Sequence, residues 1–456
     1  MDTREQAAKT PETLAYTPAS HLLGYLSALR DDPIAVLKMA LGLQKRMVRL
    51  RVAHISAFFL FHPEDIRRVL LKESEHYKKQ ARGYDKVRLL LGNGLLTSEG
   101  DFWRRQRRIA QPAFHRKCIE GFADAMVKAA KDQCERWRVF AKEGKAFDMS
   151  EEMGLVTLRI AGETLMSADM RGEGRQVGEA MAQVMSNFNA LVNSPLPWPE
   201  YWPSVANLKM WRARRVLLDI TDGVIEARRQ SGAHVPDLLG MLMAAEDPES
   251  GETMDDTQLR DEVLTMLLAG HETTANTLTW TLYLLSTHPE IAQTLEAEVE
   301  RVLKGRDAQA ADVHNLSYTH QVIKEGLRLY PPGWIIGRRV ATERELGGYR
   351  IPKGSYVFLS PYAMHRHPEH WQDPETFDPS RFGPEGEDID RFVYFPFLRG
   401  QRQCIGDRFA EMEMVLLLAT FVQRYRFELV KDHPIALDPS VTLRPKHGIQ
   451  MTLRAR

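Results

Sequence analysis

Cysteine is nearly missing from this chain, with only Cys118, Cys134 and Cys404 among 456 residues. Three irregularly spaced thiols cannot form a disulfide framework, which points to a reducing compartment and a cytoplasmic protein. Also missing is any run of the roughly 18–20 apolar residues that crosses a bilayer. The polar start MDTREQAAKTPETLAYTP has no apolar segment of signal-peptide type, so no transmembrane anchor is expected. There is no excess of charge either. The 61 basic residues balance 61 acidic ones, which argues against nucleic acid or an anionic membrane as a partner. Low-complexity tracts and internal repeats are absent. What is present is a globular composition, 43% hydrophobic and 27% charged, at a length that by itself suggests two or three domains.

Residues 1–20 read as a loose N-terminal arm. MVRLRVAHISAFFLF (47–61) carries β-rich runs, and Pro63 suits the first turn of a helix opening after His62. Residues 77–100 read as a long loop with a short helix at most. Helical patterns then dominate to about residue 330, broken by the proline-rich NSPLPWPEYWPS (193–204). The pattern from Asp255 to Thr287 predicts one helix of ~50 Å, at ~1.5 Å per residue. Beyond Pro331 the character changes: GGYRIPKGSYVFLS (347–360) reads as a strand pair around a Pro-Lys-Gly turn. A helix follows Cys404 to about Tyr425, and strands close the chain. The expected fold class is mainly α, of α+β type.

Four constellations bear on chemistry. In FPFLRGQRQCIG (395–406), Cys404 sits in a basic, glycine-punctuated loop before a helix. A thiolate is stabilised by nearby positive charge and by a metal. One cysteine without companion ligands does not suit zinc but suits iron already held by a haem. A buried core cysteine is the competing reading. In LLAGHETTANTL (267–278), Glu272 and Thr273 follow Gly270 inside an apolar helix, a setting for proton delivery in a dry site. The alternative is a solvated glutamate with threonines bonded to the preceding turn. Glu325 and Arg328 share a helix face by their spacing of three, with Arg381 a candidate third partner. Alone, the first two could be a surface ion pair worth ~0–1 kcal/mol. Trp103 and Arg107, four apart, could grip a carboxylate or form part of a basic helix surface.

Together and in this order, these residues resemble the cytochromes P-450, the haem-thiolate monooxygenases. The family's cysteine signature is met by Phe397, Gly400, Arg402, Cys404 and Gly406. Its oxygen-activating segment is met by Ala269, Gly270, Glu272, Thr273 and Thr274, and its Glu-x-x-Arg pair by Glu325 and Arg328 with Arg381. The likeness runs from roughly Ile55 to Arg444. It implies one prism-like, mainly helical domain over 21–456 with a long central helix and small sheets. It further implies haem b with Cys404 as the iron ligand, and haem contacts from Trp103, Arg107, Ala269, Arg339, Phe397, Arg402 and Gly406, Arg338 being the alternative to Arg339. Glu272 and Thr273 would be catalytic, and Glu325, Arg328 and Arg381 a structural network. One residue departs from the pattern: Leu398 stands where a glycine or another small residue is usual.

The resemblance also implies an apolar pocket drawn from the 77–95 loop, the 180–200 region, Leu90, Thr274, Trp334, Ile335, Ile336 and Leu443. A fatty acid, terpenoid or steroid-like molecule would be hydroxylated or epoxidised with O2, by what is expected to be a monomer. Electrons from NAD(P)H would arrive through a separate ferredoxin or flavodoxin with its reductase, docking on the basic residues Arg104, Arg105, Arg108, Arg116, Lys117, Arg399 and Arg408. A peroxide-driven peroxygenase, a non-oxidative haem-thiolate isomerase and a non-catalytic haem-binding sensor are the other readings. The Glu272–Thr273 pair weighs against the first two, which need no proton delivery to dioxygen.

Overall fold

The computed structural model describes residues 24–52, 55–79, 82–167, 180, 183–184, 202–232, 235–384, 386 and 388–456. The expected N-terminal arm and most of the 180–200 and 193–204 segments lie outside the described residues. The chain divides into two compact units, each assembled from separate segments. The first comprises Met1–Asp85, Gly333–Thr376 and Asp388–Cys404; the second comprises Lys86–Pro332, Phe377–Glu387 and Ile405–Arg456.

The first unit is built on a five-stranded sheet of β1 (Met47–Val52), β2 (Ile55–Leu60), β3 (Tyr77–Lys78), β4 (Ile336–Val340) and β5 (Tyr356–Leu359). The strand order is β1-β2-β5-β4-β3. β2 runs parallel to β5, with Phe58 opposite Val357, and the other ladders are antiparallel. ISAFFL is rich in the β-branched and aromatic residues that suit a pleated, buried surface. Phe58, Phe59 and Leu60 are all buried, and Phe59 stacks on Phe358 across the parallel ladder at 5.1 Å. As expected, a helix opens at Pro63, and His62 caps it by accepting the Glu64 N–H. The expected strand pair around Pro352-Lys353-Gly354 does not form. Tyr349–Ile351 pairs instead with Arg344–Leu346, while β5 joins the large sheet. The stronger turn is Gly347-Gly348, whose positive φ values of 60° and 82° allow a two-residue hairpin with the right twist.

The second unit is mainly helical. Its elements include most of α1 (Arg82–Leu91), with α2 (Gly100–Ala110), α3 (Met149–Met166), α4 (Asp256–Thr287), α5 (Ser317–Leu329) and α6 (Asp407–Val422). α4 is the long helix expected from the sequence, 32 residues opened by a capping box between Asp255 and Gln258. The N–H groups of Asp255 and Gln258 are thereby satisfied. A small hairpin of β6 (Leu437–Pro439) and β7 (Leu443–Pro445) packs beside α4. The final strand, Gln450–Ala455, pairs with Tyr425–Leu429 and with Phe147–Asp148. The core of this end gathers round Trp137, which contacts Phe421 and Phe427 at 4.8 and 5.9 Å.

Candidate active site

The three cysteines differ sharply in surroundings. Cys134 is buried on a helix, and desolvation pushes its thiol up to about 11, so it behaves as a small core hydrophobe. Cys118 is half-buried, and Cys404 is exposed. The loop that presents Cys404 closes on itself. The Cys404 N–H donates to Phe397 O at 2.9 Å, Gln403 N–H to Gly400 O, and Leu398 N–H to Phe395 O. Gly400 has φ 78°, and a Cβ there would lie 2.2 Å from the Leu70 carbonyl oxygen, so only glycine fits. Leu398 is left-handed as well, at φ 58°. Its departure from the family pattern thus falls where a side chain costs backbone energy, about 1–2 kcal/mol for an L-residue.

β4 offers two successive arginines. Strand alternation turns Arg338 inward, only 3% exposed, and Arg339 outward. Arg338 donates through Nη1 to Gly337 O at 2.9 Å and to Tyr84 Oη at 3.3 Å, while its buried Nη2 has no partner. The expectation placed on Arg339 therefore moves to Arg338. An accessible cysteine on a tight loop and a buried cation with an unsatisfied donor suit a group that carries both iron and carboxylates. Of the expected wall residues here, Trp334 and Ile336 are buried and Ile335 is half-buried. Trp334 O is committed to Ser360 Oγ at 2.7 Å.

In the second unit α4 carries the acid and the hydroxyls. The helix is buried over 261–268 and again over 274–280, but Ala269 between these stretches is exposed and 270–273 are half-buried. Thr273 donates its hydroxyl to Ala269 O at 2.6 Å, the back-bond that threonine makes in helices. The Glu272 carboxylate accepts the Thr442 hydroxyl at 2.7 Å, and Thr442 in turn accepts the Asn276 amide at 3.1 Å. Burial pushes the Glu272 carboxyl upward, while the Thr442 bond and Arg444 oppose this. Thr442, from the turn between β6 and β7, carried no signal in the sequence. Thr274, expected to line the pocket, is 1% exposed and lies against the buried Glu413 of α6. It therefore belongs to the core. The His271 carbonyl accepts Thr157 Oγ1 of α3, and burial lowers its ring to about 4, leaving it neutral.

The Glu-x-x-Arg pair is no surface bridge. Arg328 donates Nε and Nη2 to the two oxygens of Glu325 at 2.6 and 2.7 Å, and both side chains are fully buried. Asp378 N–H adds a bond at 3.0 Å and the Arg381 guanidinium approaches to 3.5 Å, so the three expected members meet. On α2, Trp103 is 6% exposed, and Arg107 is half-buried with Nε on Gln111 at 2.8 Å. Arg402 is half-buried. Gly406, with φ −94°, forms the N-cap of α6. Leu90 and Leu443 are buried, Leu443 completely.

Four of the seven basic residues expected to steer a partner carry ion pairs. Arg104 pairs with Asp101, Arg105 with Glu252, Arg108 with Asp247 at 2.8 Å, and Arg116 with Glu120 at 2.6 Å. Elsewhere, His367, Glu369 and His370 bring ligand-type atoms within 4.8 Å of one another. His367 Nδ1, however, already accepts the Glu369 N–H at 3.2 Å, which places the ring proton on Nε2 and makes this a capped turn.

Comparison with known proteins agrees with this chemistry. The family model described as cytochrome P450 matches residues 20–453. Cyclooctat-9-en-7-ol 5-monooxygenase of Streptomyces melanosporofaciens is 37% identical, over 92% of this chain and 91% of its own length. Pentalenene oxygenase of Streptomyces avermitilis is 35% identical over 90% of each. Carotene epsilon-monooxygenase of Arabidopsis thaliana is 31% identical over 84% of this chain and 75% of its own length. No helix among the described residues is long and apolar enough to cross a membrane. A match over nearly the whole chain, spanning the cysteine loop and the buried Glu325–Arg328 pair, places this protein in the cytochrome P450 family of haem-dependent monooxygenases.

Proposed function

We propose that the protein inserts one oxygen atom from O2 into a cyclic, terpenoid-like hydrocarbon, with electrons passed from NAD(P)H through a separate ferredoxin or flavodoxin and its reductase. The observation that carries the reading is the exposed Cys404 on its self-closed loop. Haem b bound through that thiolate supplies dioxygen activation, the sulfur's electron donation favouring O–O cleavage. The chain's own residues do the rest. Arg338 and Arg402 would hold the carboxylates. Ala269 would leave room for a flat group beside α4. Thr273 keeps its hydroxyl proton on Ala269 O, leaving its oxygen lone pairs to accept from water, and Glu272 would pass protons inward. The substrate class is supported by the relatives named for cyclooctat-9-en-7-ol, pentalenene and carotene.

The deciding measurement is the absorbance of the reduced, carbon monoxide-bound protein. A strongly red-shifted Soret band is expected, and Cys404→Ser should abolish it. A wild-type band at the position of histidine-ligated haems would overturn the thiolate assignment. Turnover of cyclic terpenes with NADPH, O2 and a surrogate ferredoxin system then tests the substrate class against linear fatty acids.

A further inference from the structure

The acid on α4 is held by a residue that lies 170 positions away in sequence. Glu272 and Asn276 are one helical turn apart, so they lie on the same face. Both reach the single hydroxyl of Thr442, which is only 7% exposed. The Asn276 amide donates to Thr442 Oγ1 at 3.1 Å, and the hydroxyl proton is then directed to Glu272 Oε1 at 2.7 Å. With Glu272 ionised the order of donors is fixed, because a carboxylate can only accept and the amide NH2 can only donate.

Thr442 itself has little freedom. The Ser440 N–H donates to Thr442 O at 3.2 Å, and the next residue is pinned twice: Leu443 N–H to Pro332 O at 3.0 Å, and Trp280 Nε1–H to Leu443 O at 3.2 Å. Arg444 and Asp438 close the hairpin with a 2.7 Å ion pair, and they are the charged groups that face Glu272 from it. Thr273, one residue after the acid, sends its hydroxyl to Ala269 O. The acid and the neighbouring alcohol therefore stand in separate hydrogen-bonded systems.

We propose that Thr442 is a positioning residue for Glu272, seating the carboxylate on the β6–β7 hairpin so that proton transfer at the Ala269–Thr273 segment requires the acid to leave that seat. The proposal rests on the monooxygenase reading for its consequence, though the seat itself is a property of the polypeptide. A fixed donor favours the ionised carboxylate and opposes the effect of burial. Removing the donor should therefore raise the pH at which Glu272 titrates.

The experiment uses the holoenzyme labelled with 13C-glutamate and pH-difference infrared spectroscopy, with the Glu272 carbonyl band identified by its loss in Glu272→Gln. Thr442→Val keeps the shape and removes the donor; Thr442→Ser restores it. Thr442→Val should move the band to the frequency of a carboxyl with fewer donors and shift its titration to higher pH, and Thr442→Ser should return both to wild type. An unchanged band and midpoint in Thr442→Val would overturn the seat. Amide exchange over 437–445 checks that the hairpin survives; if it melts in the valine variant, Thr442→Ser against Asn276→Leu carries the comparison, with Asn276→Leu expected to weaken the seat and Thr442→Ser to keep it. The carbon monoxide spectrum of the same samples separates the two claims. A missing thiolate signature overturns the monooxygenase reading, whereas the infrared result alone decides the role of Thr442.

Discussion

Arg328 clasps both oxygens of Glu325 at 2.6 and 2.7 Å while neither side chain meets solvent. Taking away one member leaves the other charge buried and unmatched, which costs ~3–5 kcal/mol. Glu325→Ala is therefore expected to give little soluble, haem-loaded protein, measured as the haem-to-protein ratio of the purified fraction. The double change Glu325→Leu with Arg328→Met removes both charges and should recover part of the lost yield. A stable, haem-replete Glu325→Ala protein would contradict the pairing argument.

Glu262 on α4 gives a pH dependence with a definite sign. It is fully buried, accepts the Leu95 N–H at 3.0 Å, and desolvation raises its carboxyl to about 8. The unfolded chain loses this proton near the ordinary carboxylate value, whereas the folded chain keeps it until about 8. Stability from this group is thus present in acid and is lost as pH rises through that window. Glu262→Gln removes the dependence and keeps the acceptor. Its Tm minus that of wild type should grow between about pH 5 and pH 8, and a difference that stays constant would count against a raised carboxyl.

Leu398 holds a left-handed φ of 58°. Leu398→Gly relieves that cost of about 1 kcal/mol or a little more, against some added freedom in the unfolded chain. Denaturant unfolding should show a gain of a few tenths to about 1 kcal/mol. Leu398→Val, β-branched at the same φ, should lose stability in the same assay.

Arg338 and Arg339 provide a matched pair on one strand. Arg338→Ala should speed the loss of haem to an excess of apomyoglobin several-fold, while Arg339→Ala should leave it near the wild-type rate. Equal rates for the two variants would remove Arg338 from the set of haem contacts.

Much of this was legible in the sequence, for identifiable reasons. Helical spacing is a local rule, so Glu325 and Arg328 could be set on one face from three-residue separation alone, and α4 could be read from its pattern between Asp255 and Thr287. Strand phase is not local. Which of Arg338 and Arg339 turns inward depends on how β4 registers against β5, where Arg338 lies opposite Val357. The Thr442–Glu272 bond was invisible because it joins a turn to a helix 170 residues apart. The pairing of the basic surface was hidden for a like reason, since its carboxylate partners include distant ones, Asp247 and Glu252, beside local ones such as Asp101 and Glu120. Thr274 was misassigned for a further reason: adjacent threonines on a helix point ~100° apart, so only one of Thr273 and Thr274 can share a face with Ala269.

The parallel ladder that sets Ala57–Leu60 beside Tyr356–Leu359 has a consequence for how the chain is made. Some 300 residues separate the two strands, and at roughly 5–20 residues per second that is about 15–60 s of synthesis. Throughout that interval β2 can rely on β1 alone, and an isolated two-stranded hairpin is marginal in water. Its hydrophobic edge, ISAFFL, stands open to other chains. Slowing translation would lengthen the exposure, so overproduction should gain more from chaperones that shield nascent strands than from a slower ribosome.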